Sequence, residues 1–252
     1  MNNIGVVLLS GGLDSTTVAA MARRKVDSLF ALTINYGQSH LKETAAARKV
    51  AHSLGIQHQV VKADFFKTLA WYSALTSTEK FNIPEEALHP GMLRKRESEI
   101  PITYVPLRNT FFITMGAAFL ESQALNAIEK DKMKPASLRA TLWLGPNALD
   151  YSGYPDCRPE YYEKISSAIN QGSKLFTQYR VKLDIETPLI TMSKADIVRK
   201  AVSIKAPIEL TWSCYHGGVR PCGVCDSCVL RAKGFKEAGV KDPAISHSKK
   251  AR

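Results

Sequence analysis

The sequence predicts an α/β fold, a Rossmann-like parallel sheet with helices on both faces. Three observations carry that expectation. Short apolar runs alternate with helical patterns, as in βαβ units. The hydrophobic share, 45% of 252 residues, is enough for a real core. The first apolar run leads directly into Ser10-Gly11-Gly12-Leu13-Asp14-Ser15, a turn that opens a helix.

The elements follow in order. Val6–Leu9 is the first strand, and Ser15–Arg24 an Ala-rich helix whose basic end suits the helix dipole. Leu29–Ile34 is the second strand, and His40–Leu54 a helix with Gly55 at its C-cap. Gln57–Val61 is the third strand. Thr110–Asn126 carries small and apolar residues at helical spacing and reads as a buried helix. Leu142–Leu144 is a short fourth strand, Tyr161–Gln171 a helix and Val181–Ile185 a fifth strand. Ser193–Lys205 is a helix capped by Ser193. Two stretches stand apart: Thr76–Ile100 as a long loop of the kind that forms lids, and the polar Glu129–Arg139 as an insertion. The whole chain, 1–252, reads as one domain, with 207–231 as a segment within it.

Composition bounds the setting. No run reaches the roughly 18 apolar residues of a membrane span, and the start lacks a signal-peptide pattern. The expectation is a cytoplasmic protein without a membrane partner. The formal charge of +11 favours polyanions such as ATP, although surface charge says little about reaction.

Two motifs carry chemistry. In Ser10-Gly11-Gly12 the absence of a Cβ lets backbone approach phosphate, and the next helix offers unpaired N–H groups. Ser10, Ser15 and Thr16 add hydroxyls, while Asp14 suits helix capping or a phosphate-bridging Mg²⁺. It is not a G-x4-G-K-[ST] loop. The second motif is Cys214, Cys222, Cys225 and Cys228, spaced C-x7-C-x2-C-x2-C. Four thiolates fill a tetrahedron around one structural Zn²⁺ per chain, with an iron–sulfur cluster as the alternative. Cys157 is left over and reads as a packed thiol, and His40 and His58 as surface and strand residues.

The Ser10–Ser15 loop resembles that of the N-type ATP pyrophosphatases, or PP-loop superfamily. Val105-Pro106-Leu107-Arg108-Asn109, Asn35-Tyr36-Gly37-Gln38, the cysteine segment and above all Asp150-Tyr151-Ser152-Gly153-Tyr154-Pro155-Asp156-Cys157-Arg158 resemble the 7-cyano-7-deazaguanine synthase family. That resemblance implies an adenine nucleotide alpha-hydrolase-like fold and a role in queuosine biosynthesis. It implies ATP-dependent conversion of 7-carboxy-7-deazaguanine and ammonia to a nitrile, through adenylated carboxylate and amide. It implies ATP contacts along Leu9, Ser10, Gly11, Gly12, Leu13, Asp14, Ser15, Thr16, Thr17, Val18 and Ala19. Asp14, Lys194 and Arg108 become candidate catalytic residues, and Tyr151, Tyr154, Asp156 and Arg158 candidate substrate contacts, with Asp156 reading the guanine edge. A homodimer and no nucleic-acid partner are expected. One departure is Leu107, where the family has glycine, so the turn is expected to differ. Two competing readings are a tRNA-thiolating PP-loop enzyme and a zinc-dependent nucleic-acid-binding protein.

Overall fold

Strand β1 (Asn2–Leu8) runs through the middle of a five-stranded sheet, because consecutive residues must be buried on opposite faces. Val6 and Val7 are both fully buried, one in each of two apolar clusters. The computed structural model describes residues 2–37, 41–82, 100–147, 154–216 and 218–246. Around β1 the order is β3-β2-β1-β4-β5, with β2 at Ser28–Asn35, β3 at Gln57–Lys62, β4 at Leu138–Trp143 and β5 at Leu183–Glu186. Every pairing is parallel. The expected sheet is therefore present, with its chain reversal of order between β1 and β4.

One face is covered by α4 (Arg108–Glu129), α5 (Pro159–Gly172) and α6 (Lys174–Tyr179), through Ile113, Leu120, Tyr162 and Leu175. The other is covered by α1 (Leu13–Ala22), α2 (Leu41–Ser53), α7 (Lys194–Ser203) and α8 (Asp226–Glu237), through Val18, Val50, Ile197 and Phe235. A short α3 (Phe65–Leu69) follows β3, and α9 (Pro243–Ser246) follows α8. Gly55 adopts φ +62° after α2, as its C-cap role requires. Ser193 caps α7, its hydroxyl accepting from the Asp196 N–H at 3.2 Å.

Several expectations need correction. Glu129–Arg139, expected as an insertion before the fourth strand, holds the end of α4, a 3-10 turn at Pro135–Ser137 and the first residues of β4. Arg139 is exposed between buried Leu138 and Ala140, so β4 begins earlier than its apolar run suggests. Leu107 holds a left-handed backbone, φ 52° and ψ 22°, with its side chain 64% exposed. One helix, α4, is after all long and apolar enough to cross a membrane by length and composition; here it packs on the sheet through Ile113 and Leu120. The readings on Gln38, His40, Tyr151 and most of Thr76–Ile100 lie outside the described residues.

Candidate functional site

A cavity of about 320 Å³ opens at the C-terminal ends of β1, β2 and β4, lined there by Leu9, Ile34 and Leu144. In an open α/β sheet that crevice, beside the strand where order reverses, is where ligands bind.

The loop after β1 supplies one wall. Ser10, Gly12, Leu13, Asp14 and Ser15 line the cavity with Leu9. The hydroxyls first hold the loop together: Ser10 N–H donates to Ser15 Oγ at 3.2 Å, and the two Oγ atoms lie 3.0 Å apart. The two glycines do different work. Gly11 has φ +88°, and a Cβ there would overlap the Glu43 carbonyl oxygen of α2, so it is required by the fold. Gly12 faces the cavity, where a Cβ would meet only Ser10 Oγ at 3.4 Å and the Trp212 carbonyl at 3.7 Å. Of the expected nucleotide contacts, Gly11, Thr16, Thr17, Val18 and Ala19 are not on the cavity wall. Thr16, Thr17, Val18 and Ala19 are fully buried, because α1 runs down into the core.

Lys194 meets this loop from α7. Its Nζ donates to Asp14 Oδ1 at 2.9 Å and Oδ2 at 2.7 Å, and it also lines the cavity. The sequence placed both residues in one site, and the structure brings them together across 180 residues.

Arg108, at the first turn of α4, is the second cation. Burial alone would lower its pKa; Tyr36, Tyr154 and Asp156 around it more than reverse that and keep it charged. Tyr36 hydrogen-bonds the guanidinium, and burial raises its phenol despite that cation. Tyr154 lines the cavity, with its hydroxyl 2.7 Å from Thr103 Oγ1.

Asp156 is buried behind this wall rather than on it. Its Oδ2 accepts from the Asn109 N–H at 3.3 Å. Burial raises its pKa, with Arg108 and the Asn109 N–H pulling the other way. Cys157 lines the cavity as a neutral thiol, since burial and Asp156 push it up to about 11. It is not poised as a nucleophile. Arg158 is exposed at the N-cap of α5 and does not line the cavity.

The cysteine segment forms the remaining wall. Cys225 is the N-cap of α8 and Cys228 lies in its first turn. The sulfurs of Cys214, Cys222, Cys225 and Cys228 all lie within 4.8 Å of one another. A tetrahedral ion with bonds of about 2.3 Å needs sulfur–sulfur edges of about 3.8 Å, so the four can close on one ion. Backbone N–H groups support the sulfurs: Cys222 N–H to Cys214 Sγ and Cys225 N–H to Cys222 Sγ, both 3.3 Å. The same segment reaches the phosphate loop, because the Trp212 N–H donates to the Gly11 carbonyl at 2.9 Å. Arg231 of α8 is buried against Asp242, at 2.5 and 2.9 Å, and donates to Ser213 Oγ at 3.1 Å.

Sequence reasoning missed Tyr36, Asn147, Trp212 and Arg231 as cavity residues. For Tyr36 and Asn147 a signal existed: both lie just past the ends of strands on the ligand side of the sheet.

Comparisons with known proteins match nearly the whole chain. A family model described as "Queuosine biosynthesis protein QueC" matches residues 4–239. A protein of Thermoplasma volcanium named 7-cyano-7-deazaguanine synthase is 42% identical over 97% of this chain and 90% of its own length. Proteins with the same name in Microcystis aeruginosa and Syntrophus aciditrophicus are 40% and 42% identical, over 100% and 96% of this chain and 99% and 97% of theirs.

Proposed function

The chain belongs to the QueC family, and from that premise we propose that it is an enzyme making 7-cyano-7-deazaguanine from 7-carboxy-7-deazaguanine, ammonia and ATP. The observation that carries the reading is one cavity holding the Ser10–Ser15 loop, Lys194, Arg108 and Tyr154 together.

The chemistry sets the demands on that cavity. A nitrile keeps neither carboxylate oxygen, and neither leaves unaided. The carboxylate attacks the α-phosphate of ATP, giving an acyl adenylate and pyrophosphate. Ammonia displaces AMP and loses a proton, leaving the amide. The amide oxygen attacks the α-phosphate of a second ATP with release of pyrophosphate, and loss of AMP and both amide protons leaves the nitrile. No protein nucleophile is needed, which agrees with Cys157 being a neutral thiol.

What the side chains supply is position and charge. Backbone around Gly12 and the ammonium of Lys194 hold phosphate oxygens. Asp14, on the loop and paired with Lys194, is the carboxylate that would hold Mg²⁺, whose charge neutralises phosphate. Arg108 steadies the substrate carboxylate, and the Tyr154 ring lies against the base. Asp156 supports Arg108 from behind in place of the direct guanine contact that its motif suggested. Tyr151, outside the described residues, stays a proposed substrate contact. The four cysteines hold Zn²⁺ as a structural ion, for all four positions are filled by sulfur.

A homodimer in the cytoplasm belongs to the same proposal. Support for a subunit contact comes from Phe65, Leu69, Trp71 and Tyr72, exposed just after the edge strand β3. The curated relatives favour the synthase reading over the tRNA-thiolating one. The test is incubation with 7-carboxy-7-deazaguanine, ATP, Mg²⁺ and ammonium, followed by mass analysis. The nitrile is expected; ATP loss without it overturns the assignment.

A further inference from the structure

Gly234 lies in the interior of α8, where glycine is a poor helix former and alanine would serve better. It is buried, and it has no φ that demands glycine. What it has is a neighbour. A Cβ built on Gly234 would overlap Lys194 Cγ, and it would lie 3.0 Å from Lys194 Cβ and 3.2 Å from the Lys194 carbonyl carbon. These atoms are the root of the side chain and its backbone, not a flexible tip that could swing aside. The lysine stem therefore rests on bare helix backbone, with its ammonium 2.7 Å from Asp14 Oδ2 across the cavity.

We infer that Gly234 is a positioning residue for the phosphate-binding cation: α8, anchored by the cysteine cluster at its N-terminus, is the platform on which Lys194 is seated. The inference rests on the reading of Lys194 as a phosphate ligand. The route is physical and short. Cys225 and Cys228 fix the start of α8, Gly234 sits two turns further on, and Lys194 lies against it. Arg231, between them on the same helix, ties the platform to Ser213 and Asp242. A methyl group at 234 forces the lysine stem back by roughly 1.2–1.7 Å to reach ordinary carbon–carbon contact. A misplacement of that size costs about 10- to 10²-fold in a preorganised site.

The experiment is a double-mutant cycle on the zinc-loaded full chain, reading kcat, KM for ATP, metal content and thermal midpoint for Gly234→Ala, Lys194→Ala and the double variant. Gly234→Ala is expected to lose about 10-fold or more in kcat/KM for ATP while keeping its metal. Added to Lys194→Ala it should cost nothing further in kcat/KM for ATP, since the ammonium it displaces is already gone, while the remaining contact with the Cβ and carbonyl carbon of residue 194 would be read in the thermal midpoint. Lys233→Ala, exposed on the same helix, is the control and should match the wild type. Additive losses, or metal lost in Gly234→Ala and in the double variant alike, would make the glycine merely structural and overturn the inference. So would unchanged kinetics in Gly234→Ala beside a large loss in Lys194→Ala. A Lys194→Ala protein with normal turnover would instead overturn the reading of Lys194 on which the inference stands.

Discussion

Leu107 holds a left-handed backbone with a β-carbon in place, a conformation that costs a non-glycine residue about 1–2 kcal/mol. Glycine gives back part of that gain through its freer unfolded chain, about 0.5–1 kcal/mol. Leu107→Gly should therefore stabilise the protein by roughly 0.5–1 kcal/mol, and urea unfolding reads it; a loss of stability would mean that the exposed leucine packs in a way the structure does not show. His58 offers a pH test. Its ring Nε2 lies 2.7 Å from Thr33 Oγ1, which lies 2.5 Å from the Leu9 carbonyl at the start of the phosphate loop. Burial, then Arg48, lowers its pKa below the usual 6.5. A depressed value means that neutral His58 stabilises the fold above about pH 6.5, and that this is lost as pH falls through the ring's own lower value. The thermal midpoint should fall more steeply between pH 7 and pH 5 in the wild type than in His58→Gln. At this scale the sequence was legible where a residue type has one strong use. Asp14 was singled out by its place in the phosphate loop and Lys194 by the family resemblance, and the two meet. Asp156 lies behind the cavity wall rather than on it, for a motif shows which residues are close in sequence, not which side of a wall they occupy.

The elements were readable to the degree that each carried its own signal. Ser193 and Gly55 marked helix ends by well-understood backbone chemistry, and both do so in the fold. The start of β4 carried no such signal, since Leu138 and Ala140 flank an arginine and become strand only by pairing with Asn2 and Ile4 of β1. Helix α8 was hidden by its own cysteines, which read as a loop binding metal although Cys225 and Cys228 begin a helix. The metal and that helix therefore stand or fall together. Cys214→Ser should empty the site, lower the thermal midpoint and weaken ATP binding by roughly 10-fold, because Trp212, two residues away, bonds the phosphate loop. Metal analysis with X-ray absorption should show zinc in a sulfur shell near 2.3 Å. Cys157→Ser should leave metal content unchanged; iron–sulfur absorbance, or full zinc retention in Cys214→Ser, would contradict this account.

For the whole molecule, the reversal of strand order at β1 and β4 creates the crevice, and three distant stretches converge on it. That convergence was predictable in outline from a parallel sheet, and Arg108 and Tyr154 from the family resemblance, whereas Tyr36 at the cavity and the seat of Lys194 depend on long-range packing. Light scattering on the purified protein should give twice the chain mass of 27.8 kDa, and a monomer at working concentration would remove the homodimer from the proposal. The central claim is that each carboxylate oxygen leaves on its own adenylate. The most direct measurement starts from 7-carboxy-7-deazaguanine labelled with oxygen-18 at both carboxylate oxygens and follows the label by mass spectrometry. The account predicts two AMP formed for every nitrile, each carrying one labelled oxygen. Unlabelled AMP, or label released into water while nitrile accumulates, would contradict it.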